Sequence, residues 1–223
     1  MLQDKGISPT GIEISGYEIG LNILVSKDCR AYLDRMETIG ILTDKKPLLV
    51  NPRYKDYRVK TTVFHRHVRK HFKAYDKGFE ARDKRRNDVP DQNILRLETV
   101  CRRVENMTYD EFFSPANLKK MQDRFFRDWR TLQFDKELHA PKGTGQMKKG
   151  LCKTILEIGA DKVLLQARER HKTGAVSDRE LRTIREFVVN EWDTVKKDVR
   201  LIQSVEEIEY RELLNTGKIL LSK

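Results

Sequence analysis

The chain has 223 residues, enough for one domain with its own core or for a domain with a smaller appended unit. Lysine and arginine outnumber aspartate and glutamate by 45 to 34, and the net charge of +11 favours a polyanionic partner, nucleic acid before a membrane surface. No apolar run of about 18 residues could span a bilayer, and the N-terminus lacks a signal-peptide pattern, so we expect a cytoplasmic protein with no membrane partner.

Four segments in the first half of the chain are predicted to be strands. They are short, rich in β-branched and aromatic residues, and close to alternation with a period of two: GIEISGYEIGLNILVS, RVKTTVFHRHV, KHFKAYDK and NILRLETVCRR. Between the first two lies DCRAYLDRMETIGIL, in which Tyr32, Leu33, Met36 and Ile39 follow helical spacing. This order predicts an α+β fold, with an antiparallel sheet and helices packed on one face.

Helices are predicted from Thr108 onward. Thr108 and Glu111 form a capping box, and Ser114 with Pro115 marks the start of the next helix. Apolar residues then recur every three or four positions and predict one stripe facing the sheet: Leu118, Met121, Phe125, Trp129 and Leu132.

A break in the pattern separates this region from a helical tail. The stretch HAPKGTGQMKKG contains proline and glycine and predicts a flexible connection. We therefore expect an α+β domain over residues 1–140, a linker over 141–150 and a helical C-terminal unit over 151–223. Within that unit, helices are predicted over 161–171 and 178–198, the second opened by a capping box of Ser177 and Glu180. These two helices could form a helix-turn-helix-like pair, although the long turn favours a plain bundle.

The strongest local charge bias lies between Arg53 and Lys73. The basic residues there are opposed by Asp56 alone and are interleaved with aromatic residues: Arg53, Lys55, Arg58, Lys60, Arg66, Arg69, Lys70 and Lys73. Basic groups neutralise phosphates and aromatic rings stack on unpaired bases, so the segment suits a groove that follows a DNA strand. The alternative is a solvated hairpin with ordinary core aromatics.

Two side chains on neighbouring predicted strands could carry chemistry. Alternation sends Tyr75 to a solvent-facing position among lysines, where nearby ammonium groups would favour its phenolate, and it sends Glu98 to a strand face between arginines. We expect the sheet to place both on one face of adjacent or next-adjacent strands. By spacing alone, Tyr75 is more often a half-exposed strand tyrosine, and Glu98 is either a metal ligand or half of an ion pair.

A pair of histidines offers a second possible metal ligand set. His65 and His67 are separated by one residue, so they share a strand face, as in a two-imidazole chelate. The alternative is a surface pair that adds to the basic segment. The three cysteines form no CxxC pair, so neither a disulfide framework nor a zinc cluster is predicted, and we expect buried thiols.

Three stretches together resemble the replication initiators of filamentous phages, of the gene II/X type, and related plasmid Rep proteins. The stretches are TTVFHRHVRKHFKAYDKGFE, NILRLET and MTYDEFFSPANLKKMQDRFFRDWRTLQF, and the resemblance covers roughly residues 14–135. These proteins are rolling-circle enzymes of the HUH nuclease superfamily. Tyr75, Lys77 and Glu80 match their Y-x-K-x-x-E motif, and Arg96 and Glu98 match their R-x-E strand.

The resemblance implies an enzyme that nicks and joins origin DNA through a tyrosine–phosphate intermediate with Mg²⁺ or Mn²⁺. Its expected partners are single-stranded or origin DNA and the host helicase and polymerase. By position in the matched motif, the resemblance gives Tyr75 the role of nucleophile. Taken with the residue patterns above, the candidate site residues are Tyr75 and Lys77 for catalysis, Glu98, His65 and His67 for the metal, and Arg66, Arg69, Lys70, Lys73 and Arg96 for DNA. The domain over 1–140 is then a partial nuclease-like domain.

The chain departs from the family pattern in its N-terminal part. The family has further strands and metal-binding residues before the matched region, and the segment YEIGLN leaves Glu18 as the substitute for an expected aspartate. The HRH segment has arginine in place of a hydrophobic spacer and is not the HUH signature. We therefore expect an N-terminally truncated or divergent member, and the alternative is a non-catalytic DNA-binding protein or regulator.

Overall fold

The computed structural model describes residues 12–41, 44–51, 59–62, 69–85 and 92–216, without the side chains of Glu105 and Asn106. The chain forms two compact units. The sheet unit comprises Met1–Asp135 with Val205–Lys223, and the helical unit comprises Lys136–Ser204. Within the described ranges, no helix is long and apolar enough to cross a bilayer.

The sheet unit contains a five-stranded antiparallel sheet and a smaller three-stranded one. The strands are β1 (Glu13–Leu24), β2 (Met36–Ile39), β3 (Lys46–Pro47), β4 (Leu49–Val50), β5 (Val59–Thr61), β6 (Lys70–Asp76), β7 (Ile94–Thr108) and β8 (Gln133–Phe134). The larger sheet has the order β1-β7-β6-β5-β4 and the smaller one the order β3-β2-β8. The long strands β6 and β7 are therefore hydrogen-bonded neighbours at the centre of the larger sheet.

Four helices of the sheet unit follow its strands. They are α1 (Cys29–Arg35), α2 (Lys77–Asp83), α3 (Tyr109–Phe112) and α4 (Pro115–Trp129). The predicted cap at Thr108 is confirmed, because its hydroxyl accepts from the Glu111 backbone while the Glu111 carboxylate accepts from the Thr108 backbone. Ser114 caps α4 with Pro115 in the first turn, as predicted.

The core of the sheet unit lies on one face of the larger sheet. Alternation gives that face Leu21, Ile23, Phe72, Ala74, Leu95 and Leu97, which pack with Tyr32 and Leu33 of α1 and Phe125 and Trp129 of α4. The Trp129 indole donates to the Thr99 hydroxyl at 3.1 Å and meets the Phe72 ring edge-on. This arrangement confirms the predicted α+β fold with helices on one face of an antiparallel sheet.

One part of the predicted α4 stripe is wrong. Phe125, Trp129 and Leu132 are buried as expected, but the side chain of Leu118 is 43% exposed. Phe125 and Trp129 belong to the second half of α4, whereas Met121 in the first half lines a cleft described below. The core therefore takes only the C-terminal half of the helix.

The helical unit has its own small core. Its elements are β9 (Glu137–His139), α5 (Gln146–Ile158), α6 (Ala160–Lys172), α7 (Asp178–Glu186), the π-helical turn Phe187–Glu191, α8 (Trp192–Val195) and β10 (Arg200–Ile202), which pairs antiparallel with β9. Cys152, Ile155, Val163, Phe187 and Val199 form the buried cluster. The predicted capping box of Ser177 and Glu180 starts α7, and the π-helical turn interrupts the single helix expected over 178–198.

The division into units differs from the predicted one in three places. The first segment of the sheet unit ends at Asp135 and not at residue 140. The expected linker over 141–150 is partly helical, because α5 begins at Gln146. The last helix, α9 (Val205–Thr216), belongs to the sheet unit and not to the helical unit, because its Tyr210 and Leu214 are buried in the core of the sheet unit. The Tyr210 hydroxyl donates to the Trp129 carbonyl at 2.9 Å, which fixes α9 against the end of α4.

Candidate functional site

Tyr75 and Glu98 meet on the sheet face opposite the core. Tyr75 on β6 lies opposite Arg96 on β7, and Lys73 lies opposite Glu98. Because successive side chains of a strand point to opposite faces, all four point away from Ala74 and Leu97, which face the core. The Tyr75 hydroxyl donates to Glu98 Oε1 at 2.8 Å. The prediction that Tyr75 and Glu98 share one face of adjacent strands is confirmed.

Glu98 is the centre of a buried charge network. Its carboxylate accepts from Lys73 Nζ at 2.7 Å and from Arg96 Nε at 2.6 Å, and its side chain is only 8% exposed. Arg96 is held in turn by Asn22 of β1, whose amide oxygen accepts from Nη1 at 3.0 Å. Burial alone would raise the pKa of Glu98, but the hydrogen bonds from Lys73, Arg96 and Tyr75 lower that pKa to about 2. Glu98 is therefore ionised at neutral pH.

The environment of Tyr75 differs from the predicted one. The residue is 9% exposed and not solvent-facing. Burial raises the pKa of its phenol, and the negative charge of Glu98 and the hydrogen bond to it raise that pKa further, while Arg96 lowers it. The prediction that nearby ammonium groups favour the phenolate is wrong, because the phenol is hydrogen-bonded to a carboxylate. Tyr75 therefore keeps its proton at neutral pH.

Helix α2 brings two more motif residues to this face. Asp76 caps the helix by accepting from the Phe79 backbone at 2.9 Å, so the chain turns into α2 immediately after Tyr75. Lys77 and Glu80, three residues apart, then share one side of α2 and form an ion pair. Glu80 also accepts from Lys84. Burial would raise the pKa of Glu80, but Lys77 and Lys84 lower it.

Tyr75 lines a cavity of about 290 Å³ between the sheet and α2. Its charged lining residues are Lys73, Lys77, Lys84 and Arg96 against Glu18, Glu80 and Glu98. The structure thus gathers the residues of both family-like motifs, Y-x-K-x-x-E and R-x-E, around one cavity. Four cations against three carboxylates leave a net positive charge, which suits an anionic ligand such as a phosphodiester.

The described residues at this cavity do not fit a divalent metal ion. The Glu98 carboxylate is already bound by two cations, and Glu18 lies 3.6 Å from Lys73. In the described part of the chain, no cluster of three or more His, Cys, Asp or Glu side chains could hold a metal. The predicted ligands His65 and His67 lie outside the described residues.

The residues predicted to bind DNA fall into separate places. Lys73 and Arg96 line the Tyr75 cavity, whereas Arg69 and Lys70 lie at the opposite end of β6 and line a different cleft. Lys70 donates to Asp128 of α4 at 2.7 Å. The predicted residue Arg66 lies outside the described residues.

Sequence reasoning misplaced Lys60 and missed a group of cations on α4. Lys60, counted with the basic segment, is buried on the core face, where its ammonium donates to the Met36 carbonyl at 2.7 Å. Lys120, Arg124 and Arg127 of α4 line the same cleft as Arg69. Their spacing of four and three residues places them on one side of a helix, a signal that the sequence contains.

Comparison with known proteins adds no assignment. No protein-family model matches the chain, and no curated protein sequence matches it. The functional inference therefore depends on the residues of the site and their chemistry.

Proposed function

We propose that the protein nicks and joins single-stranded DNA, such as a replication origin, with Tyr75 as the nucleophile. The observation that carries this proposal is the hydrogen bond from the Tyr75 hydroxyl to the Glu98 carboxylate inside a cation-lined cavity. A nucleophilic hydroxyl needs a group that takes its proton and cations that hold the phosphate it attacks. Glu98 supplies the first, and Lys73, Lys77 and Arg96 supply the second.

In the proposed reaction, Tyr75 Oη bonds to the scissile phosphorus while the bond from phosphorus to the 3′-oxygen breaks. The phenolic proton passes to Glu98 Oε1, and the departing 3′-oxygen takes a proton from water. The products are a 5′-phosphotyrosyl ester and a free 3′-hydroxyl that can prime synthesis by the host polymerase. Attack by a 3′-hydroxyl on the ester reverses these steps and rejoins the strand.

Phosphate binding can make the proton transfer easier. Against the effect of burial, Lys73, Arg96 and Tyr75 hold the pKa of Glu98 at about 2, which makes the carboxylate a weak base. A phosphate bound between these two cations competes with Glu98 for them, so the pKa of Glu98 rises toward its ordinary value. A carboxylate with a higher pKa accepts the Tyr75 proton more readily. The requirement for Mg²⁺ or Mn²⁺ stays a prediction.

The test is covalent capture of DNA by the protein. Single-stranded DNA of random sequence, labelled at its 3′ end, is incubated with the protein in Mg²⁺, in Mn²⁺ or in a chelator. Protein-bound DNA is then isolated under denaturing conditions and sequenced. We expect labelled protein for the parent and none for Tyr75→Phe, which keeps the ring and loses only the oxygen. An adduct formed by Tyr75→Phe would exclude Tyr75 as the nucleophile.

Tyr32→Phe is the matched control for this experiment. Tyr32 is also a buried tyrosine whose hydroxyl donates to a carboxylate, that of Glu209, but it lines neither the Tyr75 cavity nor the cleft of Arg69. Tyr75→Phe deletes the hydrogen bond to Glu98, and Tyr32→Phe deletes that to Glu209 and a longer one of 3.4 Å with Ser26. Each substitution should cost about 1 kcal/mol of unfolding free energy. We expect Tyr32→Phe to retain the adduct, so its loss in Tyr75→Phe would report chemistry and not stability.

A second candidate is a DNA-binding protein or regulator without catalytic activity. The observation that favours it is the burial of Tyr75 and the raised pKa of its phenol, which oppose formation of the nucleophile. Such a protein would retard single-stranded DNA in a native gel but leave no DNA bound after denaturation. Binding of DNA without an adduct in Mg²⁺, in Mn²⁺ and in the chelator would favour this second candidate and reject the first.

A further inference from the structure

A second cleft of about 520 Å³ lies on the helix-bearing side of the sheet unit. Its lining comes from β1, the start of β6, the second half of β7, α3 and α4. The cations that line it are Arg69, Lys70, Arg102, Arg103, Lys120, Arg124 and Arg127, and no carboxylate is among its described lining residues. This composition differs from the Tyr75 cavity, where three glutamates offset most of the positive charge.

Most of these cations are available to a ligand. Except for Lys70, which is half-buried and bound to Asp128, their side chains are exposed. Arg103, Lys120, Arg124 and Arg127 form no ion pair with a carboxylate of the described chain. Like charges that converge on one cleft repel each other, and an anion removes that repulsion.

Arg103 is held at the cleft by an irregularity in β7. Gly16 of β1 pairs with Arg102 and Ile14 pairs with Met107, so residues 103–106 lie opposite Ser15 alone. At this bulge Arg103 has a φ of 52°, in the left-handed region that costs a residue other than glycine about 1 kcal/mol. Arginine therefore occupies a position where glycine would be less strained.

The floor of the cleft is aromatic and apolar. The rings of Tyr17 and Phe112 lie 5.5 Å apart, and Met107 and Met121 line the cleft beside them. Burial, together with the Cys101 thiol, raises the pKa of Tyr17 to about 12, so its phenol is neutral. A neutral aromatic floor beneath a cationic rim suits unpaired bases stacked inside and phosphates bound at the edge.

We infer that this cleft is a second DNA-binding site, which takes the phosphodiester backbone and unpaired bases of a single strand. It is separate from the Tyr75 cavity, because Lys70 and Tyr75 are five residues apart on β6, about 17 Å in an extended strand, and Tyr75 points to the opposite face. In naming DNA as the ligand, the inference rests on the proposed function. Its role is to hold the strand at a distance from the nick without contributing to the chemistry.

The test measures binding of a fluorescent oligothymidylate by anisotropy over a range of salt concentrations. Arg103→Gly removes a cation and also relieves the positive φ, so it should weaken binding several-fold while the protein stays at least as stable. Lys120→Ala and Arg124→Ala should each weaken binding and reduce the slope of log affinity against log salt by about 0.7. Lys119→Ala is the matched control, since its side chain is exposed beside Lys120 but does not line the cleft.

The outcomes separate this inference from the proposed function. Unchanged affinity and salt slope in Arg103→Gly, Lys120→Ala and Arg124→Ala would overturn the cleft as a binding site. This holds whether or not Tyr75 forms an adduct with DNA. Equal affinity for a mixed-sequence duplex would overturn the assignment of a single strand. If the parent forms no adduct but Arg103→Gly, Lys120→Ala and Arg124→Ala weaken binding as expected, nicking fails and the cleft stands. Weakened binding in Lys119→Ala equal to that in Lys120→Ala would also count against the cleft.

Discussion

Glu98 keeps its negative charge inside the sheet unit because three donors converge on it. Lys73, Arg96 and Tyr75 all bind its carboxylate. A carboxyl whose pKa is lower in the folded than in the unfolded protein stabilises the fold above the unfolded pKa. For Glu98 that contribution is complete above pH 4.5 and is lost as the pH falls toward about 2. Its full size is about 3 kcal/mol.

Glu98→Gln should therefore remove an acid-sensitive part of the stability. At pH 7 we expect the variant to lose about 3 kcal/mol of unfolding free energy, because Lys73 and Arg96 remain half-buried without their counter-charge. The difference from the parent should shrink as the pH falls from 4.5 toward 2. Urea unfolding across this range measures both effects. The control is Glu18→Gln, because the Glu18 side chain is 57% exposed. This substitution should change the unfolding free energy by less than about 0.5 kcal/mol. If the unfolding free energies of Glu98→Gln and the parent differ by the same amount at every pH, the lowered pKa of Glu98 is contradicted.

At the scale of the elements, Lys60 joins strand β5 to the junction of α1 and β2. Its ammonium reaches the Met36 carbonyl at 2.7 Å and the Asp34 carbonyl at 3.3 Å, near the end of α1. Lysine near a helix C-terminus satisfies carbonyls that the helix leaves without donors. Burial lowers the pKa of Lys60, although the nearby charges of Asp34, Glu37 and Asp135 oppose that change.

Lys60→Met should lower stability and leave DNA binding unchanged. The apolar side chain keeps the packing but removes the donor to two carbonyls, at a cost of about 1 kcal/mol. The buried ammonium cannot reach a phosphate, so the affinity for oligothymidylate should equal that of the parent. Thermal unfolding and anisotropy test these two expectations, with the exposed Lys45→Met as a control. A variant of parental stability with weakened DNA binding would place Lys60 on the binding surface instead.

At the scale of the whole molecule, the residues that the structure describes form two separate cores. Leu214 of α9 is buried in the core of the sheet unit, and Phe187 is buried in the core of the helical unit. Each cluster takes its members from its own unit. The two units should therefore respond separately to the loss of a core side chain.

Leu214→Ala and Phe187→Ala test this expectation by hydrogen exchange. Each substitution creates a cavity and should cost about 3 kcal/mol in the unit that contains it. In Leu214→Ala, faster exchange should appear in β6 and β7 and not in α5 and α6, and Phe187→Ala should show the reverse. Equal loss of protection in both units from either change would show one cooperative core instead of two.

The sequence by itself determined features that depend on neighbours along the chain. Period-two alternation predicted that Tyr75 and Glu98 share one face, because each strand fixes which side chains point together. Capping boxes predicted the starts of α3 and α7, because the cap and its partner are three residues apart. The antiparallel sheet with helices on one face followed from the same local patterns.

Only the tertiary structure decided features that depend on residues distant in the chain. The pKa of Tyr75 is raised and not lowered because burial and the charge of Glu98 outweigh the nearby cations. Helix α9 joins the sheet unit because Tyr210 reaches the Trp129 carbonyl across 81 residues of chain. The cleft at Arg103 is assembled from three strands and two helices, and no single segment contains it. Burial and electrostatic fields arise from all surrounding groups. Sequence periodicity determines only the direction in which a side chain points, so it cannot predict them.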